Sequence, residues 1–232
     1  MKFKFHIMDE SPWPILMSIS LFSNMSFFLG SLNNLSSSYY FMISLFYSFM
    51  VFYGWSRDIV KEGLLEGSHT LSVQNGLKMG MILFIVSEIF FFISFFWTLF
   101  HVSLSSYVDT GGWPPKGIDS VNPMGVPFLG TLILISSGIS VTWSHHSVME
   151  GKSLMESMYS LSITVTLGII FTFLQIAEFI ECSFSINDSV FGSVFFMTTG
   201  FHGFHVIIGT CFLMVCLVRM DKGQFTKFHH VG

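Results

Sequence analysis

Uncharged apolar runs, each long enough to cross a bilayer, recur along this chain. Short stretches carrying nearly all the charge separate them. A hydrocarbon core about 30 Å thick takes about 20 apolar residues at helical rise. On that measure the pattern predicts six helices, near residues 15–35, 39–56, 77–103, 125–147, 157–181 and 190–219. The first run is the weakest, because Ser18, Ser20, Ser23, Asn24 and Ser26 interrupt it. No segment alternates polar and apolar positions over strand length, so a β-barrel is not expected. The predicted fold is all-α: a polytopic transmembrane helix bundle with six spans, in a single membrane domain over residues 1–232. Residues 104–124 break the pattern with Trp113-Pro114-Pro115 and Asn122-Pro123, which no helix interior accommodates. Trp113 there suits an interfacial anchor.

The sharpest departure from the pattern is Glu88, alone in the uncharged run 79–100. A charge at the centre of a spanning helix costs about 2.5–3.5 kcal/mol on insertion scales. Its carboxyl must therefore face protein, water or a lipid headgroup, or carry a proton. It is expected to be largely neutral at pH about 7 unless a neighbouring helix supplies a donor. Small residues mark packing faces. Gly76, Gly80, Ser87 and Ser94 lie within about 40° of one another on the third helix, with Glu88 roughly 80° away. Such a seam lets a neighbouring helix approach closely. On the sixth helix Thr198, His202, His205 and Gly209 share a face.

Composition changes the picture in three ways. Only 10% of residues are charged and mean hydropathy is +0.67, which places the chain among integral membrane proteins. The net charge of −4 is spread thinly, and no basic run points to nucleic acid. Ala177 is the only alanine, and Arg57 and Arg219 are the only arginines; avoidance of GC-rich codons fits an AT-rich organellar genome. The cationic residues divide unevenly. If six spans are threaded, Lys2, Lys4, Arg57, Lys61, Lys78, Lys152, Arg219, Lys222 and Lys227 fall on one side and only Lys116 on the other. That bias places both termini in the cytoplasm-like compartment, the matrix for a mitochondrial gene. The opening Met1-Lys2-Phe3-Lys4 has neither a signal h-region nor an Arg-rich transit pattern. Cys182, Cys211 and Cys216 have no zinc spacing, and the last two, within an apolar run, are expected to be buried thiols.

Four sets of residues invite chemistry. Glu88 reads as a proton-handling acid or a polar anchor for lipid or a partner, against a plain hydrogen-bonded core acid. His202 and His205 could offer two ligands from one helix face. Haem would need a matching histidine at equal depth on a facing helix, and none is visible; a structural polar face is the better reading, with no metal expected. His145 and His146 are adjacent and point about 100° apart. Trp55, Arg57, Asp58, Glu62 and His69 cluster just beyond the second span, with Arg219 and Lys222 ending the sixth on the same side. Basic and aromatic groups at that level suit lipid phosphates, though ordinary flanking charge would look similar. P-loop, nucleophile-elbow and conventional zinc motifs are absent from the sequence.

Taken in order, several segments resemble subunit III of the haem–copper oxidases, specifically the mitochondrial cytochrome c oxidase type. They are Ser11-Pro12-Trp13-Pro14; Trp55-Ser56-Arg57-Asp58 with Glu62-Gly63 and His69-Thr70; Gly80-Met81-Ile82-Leu83-Phe84 with Ser87-Glu88; and Phe95-Phe96-Trp97. Trp113-Pro114-Pro115, Asn122-Pro123, Thr142-Trp143-Ser144-His145-His146-Ser147, the run from Thr199 through His202 and His205 to Gly209, and His229-His230 complete the set. The resemblance implies a non-catalytic core subunit of a proton-pumping terminal oxidase that passes electrons from cytochrome c to oxygen. Haem a, haem a3 and copper would lie in partner subunits I and II, and this chain would hold none. It would steady the catalytic subunit, support proton uptake and hold phospholipid in a V-shaped cleft. Helices 1–2 (about 15–56) would form one arm and helices 3–6 (about 77–219) the other. Glu88 matches the family's intramembrane carboxylate. Trp55, Arg57, Glu62, His69 and Arg219 match positions near lipid headgroups. Small accessory subunits are implied as neighbours, in the mitochondrial inner membrane.

The sequence departs from the family at Ser56 and Ser68, where a second tryptophan and a second histidine are usual. The family also has a seventh span after the His-His turn. Here the sequence ends at Gly232, and that helix is expected either beyond the given sequence or from a separate polypeptide. Two rival readings remain at this stage: subunit III of a quinol oxidase, and a free-standing proton channel or transporter built around Glu88. The second would lead one to expect broken helices and internal repeats, which the sequence lacks.

Overall fold

A computed structural model describes residues 10–35, 37–105, 112–151 and 153–227. Lys2, Lys4, Lys152, His229 and His230 lie outside the described residues. Six long α-helices follow one another: α1 (Trp13–Leu32), α2 (Ser38–Lys61), α3 (Leu71–Leu104), α4 (Val126–Glu150), α5 (Leu154–Glu181) and α6 (Ser189–Asp221). Among the described residues there is no strand. The protein is thus an all-helical membrane protein. Among the described residues five helices are long and apolar enough to span a bilayer: α1, α3, α4, α5 and α6. The exception is α2. It has the length, but Tyr39, Tyr40, Ser44, Tyr47, Ser48, Tyr53 and Trp55 dilute its apolar character. The expected ranking of the first two runs is therefore reversed. The serines of α1 cost little because each hydroxyl is absorbed locally: Ser18, Ser20, Ser23 and Ser26 donate to carbonyls three or four residues back.

The chain divides into two compact units, Met1–Leu77 and Lys78–Gly232. In the first, α1 packs on α2. Asn24 Nδ2 donates to Ser48 Oγ across the pair at 2.7 Å, and Phe27 stacks on Tyr40. Gly54 must be glycine, because the Trp13 indole lies over the space a Cβ would take. Ser37 caps α2 by accepting from the Tyr39 N–H.

In the second unit α4 packs on α5 and α5 on α6. The α4–α5 seam is built from hydroxyl residues. Ser140 and Thr164 share a hydrogen bond of 2.7 Å, Ser144 donates to the Ser157 carbonyl at 3.0 Å, and Ser147 bonds Ser157 through their hydroxyls. Ser147, Ser157 and Ser160 are the unit's fully buried side chains. Serine here does the work alanine usually does between membrane helices, letting backbones approach while each hydroxyl finds a hydrogen-bond partner. Gly168 continues the packing onto α6, with Thr210 Oγ1 only 2.6 Å from where a Cβ would stand. Phe184, Phe191, Phe195 and Phe196 cluster at the start of α6, joined by Trp113 edge-on to Phe191.

Elsewhere the surface is apolar. Leu, Ile, Phe and Met side chains stand exposed along every helix, and α3 has no buried residue at all. A soluble protein rarely exposes such continuous patches; in a bilayer they face hydrocarbon. Two expectations change here. Gly76 and Gly80 have open space where a Cβ would be, and Ser87 and Ser94 satisfy their hydroxyls on Phe84 and Phe91 of their own helix. The small-residue face of α3 thus packs against nothing described within this chain. Cys211 is exposed and Cys216 only half-buried, so neither is the core thiol expected. An apolar run identifies a membrane helix, but lipid and protein neighbours are equally apolar, so it does not say which face packs.

Candidate functional site

Glu88 lies ten residues into the membrane from Lys78, the last charge before it, which is about 15 Å of helix and close to the middle of the core. The side chain has a partner. His205 Nε2 sits 2.9 Å from Glu88 Oε2, joining α3 to α6. The other ring nitrogen, Nδ1, is 2.6 Å from the carbonyl oxygen of Phe201 one turn back on α6. One aromatic ring touches the pair, Phe92 at 5.4 Å from the imidazole, and beside it Phe91 meets Phe201 edge-on at 5.0 Å. Phe95 also reaches Phe201. Each member of the pair is about one-third exposed, His205 36% and Glu88 32%.

The predicted polar face of α6 therefore divides. His205 turns to α3, while His202 packs its ring against Phe171 of α5, 5.7 Å away. Thr198 donates back to Val194, and nothing stands near Gly209. His145 and His146 keep their rings 6.2 Å apart. Among the described residues, no three His, Cys, Asp or Glu side chains gather closely enough to hold a metal.

The expected headgroup residues occupy two regions. In the first unit α2 does not stop at residue 56 but runs to Lys61, so Trp55, Arg57 and Asp58 stand on its last two turns. The helix then widens into a π-helical turn, Glu62–Glu66, closed by Gly67 in the left-handed conformation at φ 62°. The Gly67 and Ser68 N–H groups both donate to the Glu62 carbonyl. π-Turns often mark functional positions. This one lays the His69 imidazole on Gly63, with Nδ1 2.8 Å from where a Cβ would be. Gln74 Nε2 fixes the same corner by donating to the His69 carbonyl.

The sequence groups Asp58 with these residues but gives no sign of its partner. The Trp13 indole N–H donates to Asp58 Oδ2 at 2.7 Å, and Arg57 donates to Oδ1 through Nε and Nη2 at 3.2 and 3.1 Å. The Trp13 indole, and after it the Arg57 guanidinium, hold the Asp58 carboxyl below its ordinary range. Ser11-Pro12-Trp13-Pro14 was the available signal: a Pro-bracketed tryptophan before a span. The contact lies 45 residues along the chain. Arg57 remains largely exposed, its side chain 64% accessible. In the second unit Arg219 is half-buried, with Nε donating to Gln224 at 3.2 Å and its guanidinium 4.8 Å from the Phe225 ring centroid.

Long apolar helices, outward hydrophobic surface and one carboxyl–imidazole pair at mid-depth define an integral membrane helix-bundle protein. Comparison with known proteins specifies it. A family model for cytochrome c oxidase subunit III matches residues 3–232. The relative from Prototheca wickerhamii, named cytochrome c oxidase subunit 3, is 47% identical over 236 residues, covering 100% of this chain and 88% of that protein. Relatives of the same name from Osphranter robustus and Triticum aestivum are 49% and 48% identical, each over 98% of this chain and over 87% and 86% of their own lengths. The chain belongs to the cytochrome c oxidase subunit III family and is a subunit of that proton-translocating oxidoreductase.

Proposed function

We propose that this chain is a non-catalytic core subunit which steadies the catalytic subunit, supports proton uptake and holds phospholipid. Haem a, haem a3 and copper belong to subunits I and II on this reading, and small accessory subunits complete the neighbourhood. The complex sits in the mitochondrial inner membrane with both described ends of this chain on the matrix side. The one-sided distribution of Arg57, Lys61, Lys78, Arg219, Lys222 and Lys227 supports that orientation.

The observation that carries the reading is the Glu88–His205 pair, 2.9 Å long and at mid-depth in a chain of this family. It is an ionisable pair, and handling or anchoring a proton suits it. The set of Trp55, Arg57, Glu62 and His69 around the end of α2 supports lipid binding, with an exposed guanidinium on the helix's last turns.

Turnover and assembly of the complex carrying Glu88→Gln test the reading. The variant should assemble and reduce oxygen at close to the wild-type initial rate. Turnover falling to background in a fully assembled complex would make Glu88 an essential proton carrier and overturn the supporting role.

A further inference from the structure

We infer that α4 and α5 form a seat for one zwitterionic phospholipid, its ammonium headgroup held by Trp143, Tyr159 and Glu156. The argument starts at the ends of the two helices. Glu156 stands on the first turn of α5, which opens at Leu154, and Trp143 lies about two turns before α4 closes at Glu150. The two side chains meet across the helix pair: the Trp143 indole Nε1 donates to Glu156 Oε1 at 2.9 Å. Tyr159, three residues after Glu156 and on the same face of α5, sets its ring against that indole. The ring centroids are 6.3 Å apart and the planes lie at 78°.

Two ring faces near a right angle, beside a carboxylate, make a corner of negative potential. A cation within about 6 Å of a ring centroid is drawn to the face of the ring, and quaternary ammonium groups are recognised in this way. The carboxylate adds a full charge. The corner is open: Trp143 is 42% and Tyr159 63% accessible. Among the described residues no lysine or arginine lies within ion-pair distance of Glu156. The indole supplies one donor to a carboxylate that can accept several.

The helices beyond this corner identify the rest of the ligand. On α4, Ile135 and Ile139 precede Trp143 at intervals of four, so the three share a face, and all are exposed. On α5, Ile170 and Phe173 stand exposed farther along from Tyr159. Apolar side chains thus lead from the corner into the hydrocarbon region, where acyl chains lie. Trp and Tyr near the end of a spanning helix suit the headgroup level. An anionic headgroup would meet a carboxylate and two ring faces of the wrong sign. A small water-soluble cation would make no use of the apolar stripe. Phosphatidylcholine and phosphatidylethanolamine carry both the ammonium and the chains. The seat belongs to the second compact unit and does not depend on Arg57 and its neighbours in the first. It therefore stands or falls apart from lipid binding at the end of α2.

Lipid retention by the assembled complex tests the inference. The complex is equilibrated with an equimolar mixture of phosphatidylcholine, phosphatidylethanolamine and phosphatidylglycerol and stripped with detergent. The lipid that remains is counted by headgroup with mass spectrometry. Glu156→Gln removes the charge and keeps an acceptor for the indole N–H. Tyr159→Leu removes a ring and no charge, at an exposed position that the fold does not need. Wild type should retain one ammonium-bearing lipid more per complex than either variant, with retained phosphatidylglycerol unchanged. Equal loss of all three headgroups would reduce the corner to ordinary lipid-facing surface and overturn the proposal, as would full retention in Tyr159→Leu. A water-soluble carbodiimide that joined Glu156 of the lipid-replete wild type to a lysine of a neighbouring subunit would give the corner to protein, and would overturn it too.

Discussion

At the scale of single residues, Glu88 and Asp58 are two carboxyls with opposite settings. Glu88 has one histidine partner, whose ring packs against Phe92. A lysine there would put an ammonium opposite an imidazole in an apolar site, so Glu88→Lys should block assembly of the complex, read as loss of the intact oxidase on native gels. Glutamine keeps the shape, and its amide N–H can still donate to His205 Nε2, which is why the Gln variant should assemble. Asp58 instead has an indole N–H and a guanidinium. Its carboxyl is held below the ordinary value, so it favours the folded state above the ordinary carboxylate range, and that contribution fades as pH falls through the lowered value. Wild type should therefore be more thermostable than Asp58→Asn at neutral pH, and the gap should close in acid; a gap independent of pH would refute the tie. Glu88 was legible in the sequence because a lone charge in an apolar run is an anomaly. Its partner was legible only as a histidine on a polar face. The two are 117 residues apart, and no spacing rule reaches that far.

At the scale of elements, period and length revealed the helices, and the observed ends differ from the apolar runs wherever a helix continues into water. The run ending at 56 became a helix to Lys61 because Arg57, Asp58 and Lys61 are at home on a solvated helix turn. The π-turn after it had no sequence period to announce it. What periodicity could not give was the choice of packed face, as Gly76, Gly80 and Cys211 illustrate. The α4–α5–α6 seam gives the contrast: Ser157 and Ser160 are buried, and Gly168 faces Thr210. Gly168→Val and Ser160→Leu should each destabilise the second unit by about 1–3 kcal/mol through overpacking. Equivalent substitutions at the open Gly80 should cost the isolated chain far less. Thermal unfolding of the detergent-solubilised chain checks this. Equal losses at Gly80 and Gly168 would mean that α3 packs more closely than its open face indicates.

At the scale of the whole molecule, the fold offers much hydrophobic surface and few polar destinations. His205 is engaged by Glu88 and His202 packs on Phe171, so the purified chain alone should show no haem band, and a band that stays with it through purification would sink that expectation. Phospholipid is the better-matched ligand. At the end of α2, Arg57 keeps an exposed guanidinium even while two of its nitrogens bond Asp58. Trp55 is half-buried two residues before it, and the π-turn holds Glu62 and His69 nearby in sequence on a fixed backbone. Phosphate takes bidentate contacts from guanidinium, and the amphipathic indole suits the headgroup level. Arg219 is the lesser candidate, since Gln224 and Phe225 already engage it. Lipid binding should therefore depend chiefly on Arg57. Arg57→Ala should reduce the phospholipid that survives delipidation of the assembled complex, counted by mass spectrometry, whereas Arg219→Ala should reduce it less. Arg57→Ala also strips a partner from Asp58, so Asp58→Asn is the control: it loosens the same corner without removing the guanidinium. Retained lipid in Asp58→Asn with loss in Arg57→Ala would assign the phosphate contact to Arg57. Equal retention in all three variants would mean the headgroup is held elsewhere.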